Sequence, residues 1–125
     1  WLHYCGGVPE GGRAEGLHIH DLYLANPYLR GLNFTTGKDL TAEIRKILAA
    51  DVNYIGGFPR EDGEALADYF RRILSLCPGR KGLFLGPSLQ PGEAEGAMDT
   101  WRQVQDEVFG TARGAGMPAT TAVGA

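Results

Sequence analysis

The chain has 125 residues, 43% hydrophobic and 22% charged, with a formal net charge of -3 and a pI near 5.5. That length suits one domain around one core, and the composition is that of a globular protein. An acidic balance with no lysine or arginine stripe argues against nucleic acid as a partner. No apolar run approaches the roughly 20 residues that span a membrane.

The first apolar run is WLHYC (1–5), of strand length and followed by Gly6-Gly7. GGVPEGGRAEG then reads as a loop by composition. LHIHDLYLAN fits either a short helix ending before Pro27 or a strand with Leu17 and Ile19 alternating. The helix is preferred, because it keeps strands and helices alternating. RGLNF (30–34) is a second strand. GKDLTAEIRKILAA follows as an amphipathic helix, with Leu40, Ile44, Ile47 and Leu48 on one face and Thr36 or Asp39 as cap. DVNYIGG (51–57) is a third strand. EDGEALADYFRRILSLC is the next helix, with Leu66, Phe70, Ile73, Leu74 and Cys77 on its buried side and Pro78-Gly79 as its stop. GLFLG (82–86) is the fourth strand, and EAEGAMDTWRQVQDEVF the last helix, striped by Ala97, Trp101, Val104 and Val108. The remainder, 110–125, lacks period and large apolar residues and is expected to be disordered. Cys5 and Cys77 make no disulfide framework, so both are expected reduced and the compartment cytoplasmic.

Strands alternating with helices predict an α/β fold with parallel strands and right-handed crossovers. Two architectures fit: a small doubly wound sheet, or half of an eight-unit barrel. Both place ligands at the carboxyl ends of the strands. The candidate site is therefore the set of strand-end turns: His3, Cys5 and Gly6; Asn33, Thr35 and Thr36; Gly56, Gly57, Phe58 and Arg60; Gly86 and Ser88.

LHYCGG, RGLNFTTGKDLTAEIRKIL, VNYIGGFPREDGEALADYFRRIL and KGLFLGPSLQPGEAEGAMDTWRQV occur in that order. Together they resemble the second half of the uroporphyrinogen decarboxylase (URO-D) superfamily, over residues 2 to about 109. The superfamily also contains cobalamin-dependent methyltransferases that move methyl groups between a corrinoid and a thiol. The resemblance implies the C-terminal half of a (β/α)8 TIM barrel over 1–109, four parallel strands alternating with helices, with Trp1 opening a mid-barrel strand. HYCG is similar to the His-x-Cys-Gly of the methyltransferase branch, where both residues bind zinc. YIGGFPREDGEAL is similar to the family's GN-x-DP turn, with Gly57 in place of the asparagine. The last turn, Gly86-Pro87-Ser88, carries neither the third zinc ligand of a methyltransferase nor the histidine of a decarboxylase.

His3 and Cys5, at i and i+2, share one face of a strand and can reach one zinc ion. His18, His20 or Asp21 is the candidate third ligand. Alternatively, Cys5 is a small core residue and His3 a hydrogen-bonded strand residue. Gly56, Gly57, Arg60 and Ser88 are candidate cofactor contacts, and no catalytic residue is assigned. Arg60 either clamps a carboxylate or phosphate or pairs with Glu61 or Asp62. Gly56-Gly57 either admits a ligand to the backbone or makes a tight turn. Asn33 either donates into the pocket or belongs to a helix cap. Tyr23, Tyr28 and Trp101 read as packing residues.

The implied activity is metal-dependent methyl transfer, with a corrinoid as substrate carrier. The alternatives are a tetrapyrrole carboxyl-lyase of the decarboxylase type and a non-catalytic half-barrel that binds a partner chain or corrinoid. The implied partners are an N-terminal half-barrel or a second copy, and a corrinoid protein.

Overall fold

The computed structural model describes residues 2–4, 20–34 and 41–111. Strands and helices alternate as β1 (Leu2–Tyr4), α1 (His20–Leu24), β2 (Gly31–Phe34), α2 (Thr41–Ala49), β3 (Asn53–Gly57), α3 (Leu66–Leu74), β4 (Leu83–Gly86) and α4 (Ala97–Phe109). Every pairing in the sheet is parallel, and the spatial order β1-β2-β3-β4 follows the sequence. A doubly wound sheet reverses its strand order at a switch point. No such reversal occurs among the described residues, so this sheet winds one way only.

The core lies on one face of that sheet. Leu32 and Tyr54 from the strands pack with Ile44, Ile47 and Leu48 of α2, with Tyr69, Phe70, Ile73 and Leu74 of α3, and with Val104 of α4. Leu2, Leu24, Leu83 and Leu85 border the same cluster. Complete burial of each such side chain contributes about 1.5–3 kcal/mol before entropy is counted. Strand alternation then puts His3, Asn33, Ile55 and Phe84 on the opposite face. The register brings them side by side, with His3 opposite Asn33 and Ile55 opposite Phe84.

Helix ends show where local chemistry differs from periodicity. Helix α2 closes with a Schellman motif, in which Val52 N–H bonds the Ile47 carbonyl and Asp51 N–H bonds the Leu48 carbonyl. Asp51 takes the left-handed conformation that this cap requires, at φ 58°. Helix α3 begins at Leu66, not at Glu61 as its sequence suggests. Gly63, at φ +74°, turns the chain before the helix, and the Glu64 carboxylate accepts from Glu61 N–H. Helix α4 begins at Ala97, not at Glu93, because Gly96 is left-handed at φ 90°. Tyr28, read as a packing residue, is 85% exposed, whereas Tyr23 packs against the core.

No helix among the described residues is long and apolar enough to cross a membrane. Thr35, Thr36, Asp39 and the 112–125 part of the tail lie outside the described residues.

Candidate functional site

The strand-end residues separate into two groups. The first lies on β1 and β2. His3 sits on the face opposite the helices, beside Asn33 of the neighbouring strand. Asn33 Nδ2 donates to the Ile55 carbonyl of β3. A carbonyl only accepts, so this contact fixes which end of the amide faces which way. Asn33 Oδ1 therefore faces His3 Nδ1, and the two are hydrogen-bonded. An amide oxygen also only accepts, so Nδ1 is the donor in this contact and Nε2 is the ring's other nitrogen. A histidine whose Nδ1–H is held by an oxygen acceptor is oriented to bind a metal or a proton through Nε2. Asn33, expected either to donate into the pocket or to belong to a helix cap, bonds instead to His3 and to the Ile55 carbonyl and so ties three strands together.

Cys5 and His18 lie outside the described residues, as does the side chain of His20. Asp21 is described, and its carboxylate pairs with Lys46 of α2 at 2.6 Å. Among the described residues no three histidine, cysteine, aspartate or glutamate side chains gather as a metal site.

The second group lies at the ends of β3 and β4. Arg60 pairs with neither Glu61 nor Asp62 but with Glu93, from the loop after β4. The contact is bidentate, at 2.5 Å to Oε2 and 2.9 Å to Oε1. Its Nε and Nη2 also donate to the Glu64 carbonyl at 2.8 and 2.6 Å. Each guanidinium nitrogen thus has an acceptor within the chain, and the side chain is only 8% exposed. Arg60 pins two loops together; its fork is already filled by Glu93. Hydrogen bonding to Arg60 holds the Glu93 carboxyl below the usual carboxylate range, and Arg72 does the same for Glu64.

Tyr69 is the hub of this end. It is completely buried. Its hydroxyl donates to the Phe58 carbonyl at 2.8 Å and accepts from Ser88 N–H at 3.1 Å. Ser88 Oγ donates to the same Phe58 carbonyl at 3.2 Å. Arg60 and Arg72 lie 5.9 and 5.7 Å from the Tyr69 ring centre, one cationic contact each. Ser88 is thus a strut between the two turns.

The glycine pair serves two different neighbours. A Cβ on Gly56 would point to the core side and meet Tyr54 Cζ at 2.7 Å. Gly56 therefore makes room for the Tyr54 ring. Burial pushes the Tyr54 hydroxyl up to about 12. Gly57 pairs with Gly86 on the other face, where a Cβ would come 3.4 Å from the Gly86 carbonyl. Of the two, Gly57 is the one that leaves open backbone at the strand end.

A cleft of about 480 Å³ lies at the opposite end of the strands, and Arg30, Asp51, Asn53, Arg80 and Lys81 are among its lining residues. Arg30 there donates to the Pro27 and Leu29 carbonyls, and Arg80 to Asp106 and the Gly110 carbonyl. Two of its cations thus satisfy backbone carbonyls and an acid of α4. Cys77 is half-buried, and burial pushes its thiol up, away from the reactive thiolate.

Tyr69 carries more of the site's geometry than any residue singled out from sequence. Its spacing to Ile73, one turn on, was the available signal. The strand-end arginine and serine drew attention instead, because those residue types contact ligands more often. No family model, no curated protein and no solved structure matches the chain.

Proposed function

We propose that the chain is a half-barrel of the uroporphyrinogen decarboxylase superfamily, nearer its methyltransferase branch. The completed barrel moves a methyl group between a corrinoid and a thiol, in the cytoplasm. The observation that carries this reading is the relay from the Ile55 carbonyl through Asn33 to His3. A histidine held in that way is prepared to act as a nitrogen ligand. The one-way winding of the sheet, with its helix cores on a single face, supports the barrel sector.

Under this reading His3 supplies Nε2, and Cys5, two residues further along, supplies a thiolate. His18, His20 or a residue of the other half completes the set. These residues would hold a zinc ion, which would supply a lowered pKa to a substrate thiol. Asn33 keeps the His3 ring in one tautomer and one orientation. Gly57 and Gly86 leave room beside that row for a bulky methyl carrier. The other half is an N-terminal half-barrel or a second copy of the chain, and a corrinoid protein delivers the methyl group.

A second reading, a non-catalytic half-barrel, is favoured by one observation. Arg60 and Ser88 spend their polar atoms on the protein rather than on a ligand.

Metal analysis decides between the two. After equilibration with zinc and removal of excess, the chain should retain about one ion, as a site with protein thiolate and imidazole ligands does. His3→Ala and Cys5→Ala should each lose it. A chain that retains none contradicts the methyltransferase reading and leaves the non-catalytic one. Turnover of uroporphyrinogen by the completed barrel would favour the decarboxylase branch instead.

A further inference from the structure

We propose that the cleft at the other end of the strands binds a free apolar amino acid, with its ammonium group on Asp51 and its carboxylate on Lys81 and Arg30. This goes beyond the half-barrel reading and does not rest on it.

Three turns build the cleft. Asp51 and Val52 join α2 to β3, Arg30 immediately precedes β2, and residues 78–82 join α3 to β4. The volume of about 480 Å³ falls within the roughly 300–1,000 Å³ of small-molecule sites. Leu48 and Val52, both buried, give it an apolar floor. Gly82, at φ +98°, lets the last turn lie against that floor, since a Cβ there would come 2.9 Å from Leu48 Cδ2.

Opposite charges line this cleft without pairing. Among the described residues neither the Asp51 carboxylate nor the Lys81 ammonium has a hydrogen bond or an ion pair. Arg30 uses Nη1 on the Pro27 and Leu29 carbonyls, and its Nε and Nη2 have no acceptor among the described residues. Arg80 is already paired with Asp106 at 2.7 Å. Two unpaired cations and one unpaired carboxylate suit a ligand that carries both signs. A plain anion would face the Asp51 carboxylate and the carbonyl end of α2, both negative.

Asp51 is the telling residue. It occupies the left-handed position of the α2 cap, where glycine or asparagine is usual. Among the described residues it is the one non-glycine with a positive φ. A carboxylate at a helix C-terminus is also opposed by the helix dipole. Its charge therefore works against its own helix, with no partner in the described chain to offset that. A side chain unfavourable to its own element points to a use outside it. An ammonium group supplies the missing partner. The carboxylate of the same ligand meets Lys81 and the free edge of Arg30 by charge-assisted hydrogen bonds, and its apolar side chain rests on Leu48 and Val52.

The test is isothermal titration of the 125-residue chain with leucine and phenylalanine, each also as its N-acetyl form and as its amide. The first change removes the ammonium and the second the carboxylate. At least one free amino acid should bind, and either modified form should bind about tenfold more weakly, for one charged hydrogen bond lost. Asp51→Asn should weaken the free amino acid similarly without weakening the N-acetyl form. Lys81→Gln should weaken the free amino acid without weakening the amide. Asparagine suits the cap, so Asp51→Asn should also melt at a higher temperature than the parent. No binding of either amino acid, N-acetyl forms bound as well as free ones, inorganic phosphate bound in their place, or an Asp51→Asn variant that melts lower would each overturn the proposal. Zinc retention should be the same in both variants and the parent, so this proposal and the metal reading fail separately.

Discussion

The two ends of the strand-end row make opposite use of their polar groups. At β3 and β4, Arg60, Tyr69 and Ser88 bond to Glu93, Phe58 and one another, and the loops after both strands become one unit. At β1 and β2, Asn33 spends its amide on orienting His3. The first arrangement consumes donors and acceptors. The second orients an imidazole ring. Residue type alone does not separate these uses: an arginine at a strand end is a ligand clamp or a loop pin according to where the nearest acid lies.

The contrast predicts that damage at the β3–β4 end lowers stability, while damage at the β1–β2 end changes binding. The largest effect should come from Tyr69→Ala, which removes a fully buried aromatic ring. Urea unfolding should show a loss of about 3–5 kcal/mol. Tyr69→Phe should cost only about 0.5–1.5 kcal/mol, the worth of the hydroxyl's bonds.

Gly56→Ala comes next. Its new methyl group would meet Tyr54, and overpacking of this kind costs about 1–3 kcal/mol. Gly57→Ala should be milder, because its Cβ meets only the Gly86 carbonyl at 3.4 Å. If the two alanines cost the same, the division between a core glycine and an open one is wrong.

Asn33→Leu should leave the fold standing and weaken zinc binding about 10- to 100-fold, the usual effect of losing a partner that orients a metal-binding histidine. Isothermal titration would read it. An unchanged affinity would remove Asn33 from the site.

The smallest effect is on pH dependence. Glu93 and Glu64 titrate below the usual carboxylate range because Arg60 and Arg72 bond to them. The unfolded chain therefore binds more protons than the folded one on the acid side. The stability they contribute is fully present above the unfolded carboxylate pKa of about 4.3, and is lost as pH falls below it. Thermal unfolding followed below about pH 5 should show a shallower acid slope in Glu93→Gln than in the parent.

Much of this was legible in the sequence. The four strands fall where the apolar runs end in a glycine or a polar turn, and the buried faces of α2 and α3 follow the stripes of Ile44, Ile47, Phe70 and Ile73. Sequence placed Gly63 and Gly96 inside helices, where their positive φ excludes them. Periodicity is a property of many residues, whereas a helix start depends on one backbone angle. The site was legible as a list and not as a pairing. Arg60 and Glu93 are 33 residues apart, and His3 and Asn33 are 30 apart. Only the register of parallel strands brings either pair together.

The central claim, that Asn33 presents His3 as a nitrogen ligand, is tested most directly by nitrogen-15 NMR of the His3 ring in metal-free protein, followed by zinc addition. The account predicts a proton on Nδ1, and a zinc-dependent shift confined to Nε2. A proton on Nε2, or a ring that zinc does not perturb, would contradict it.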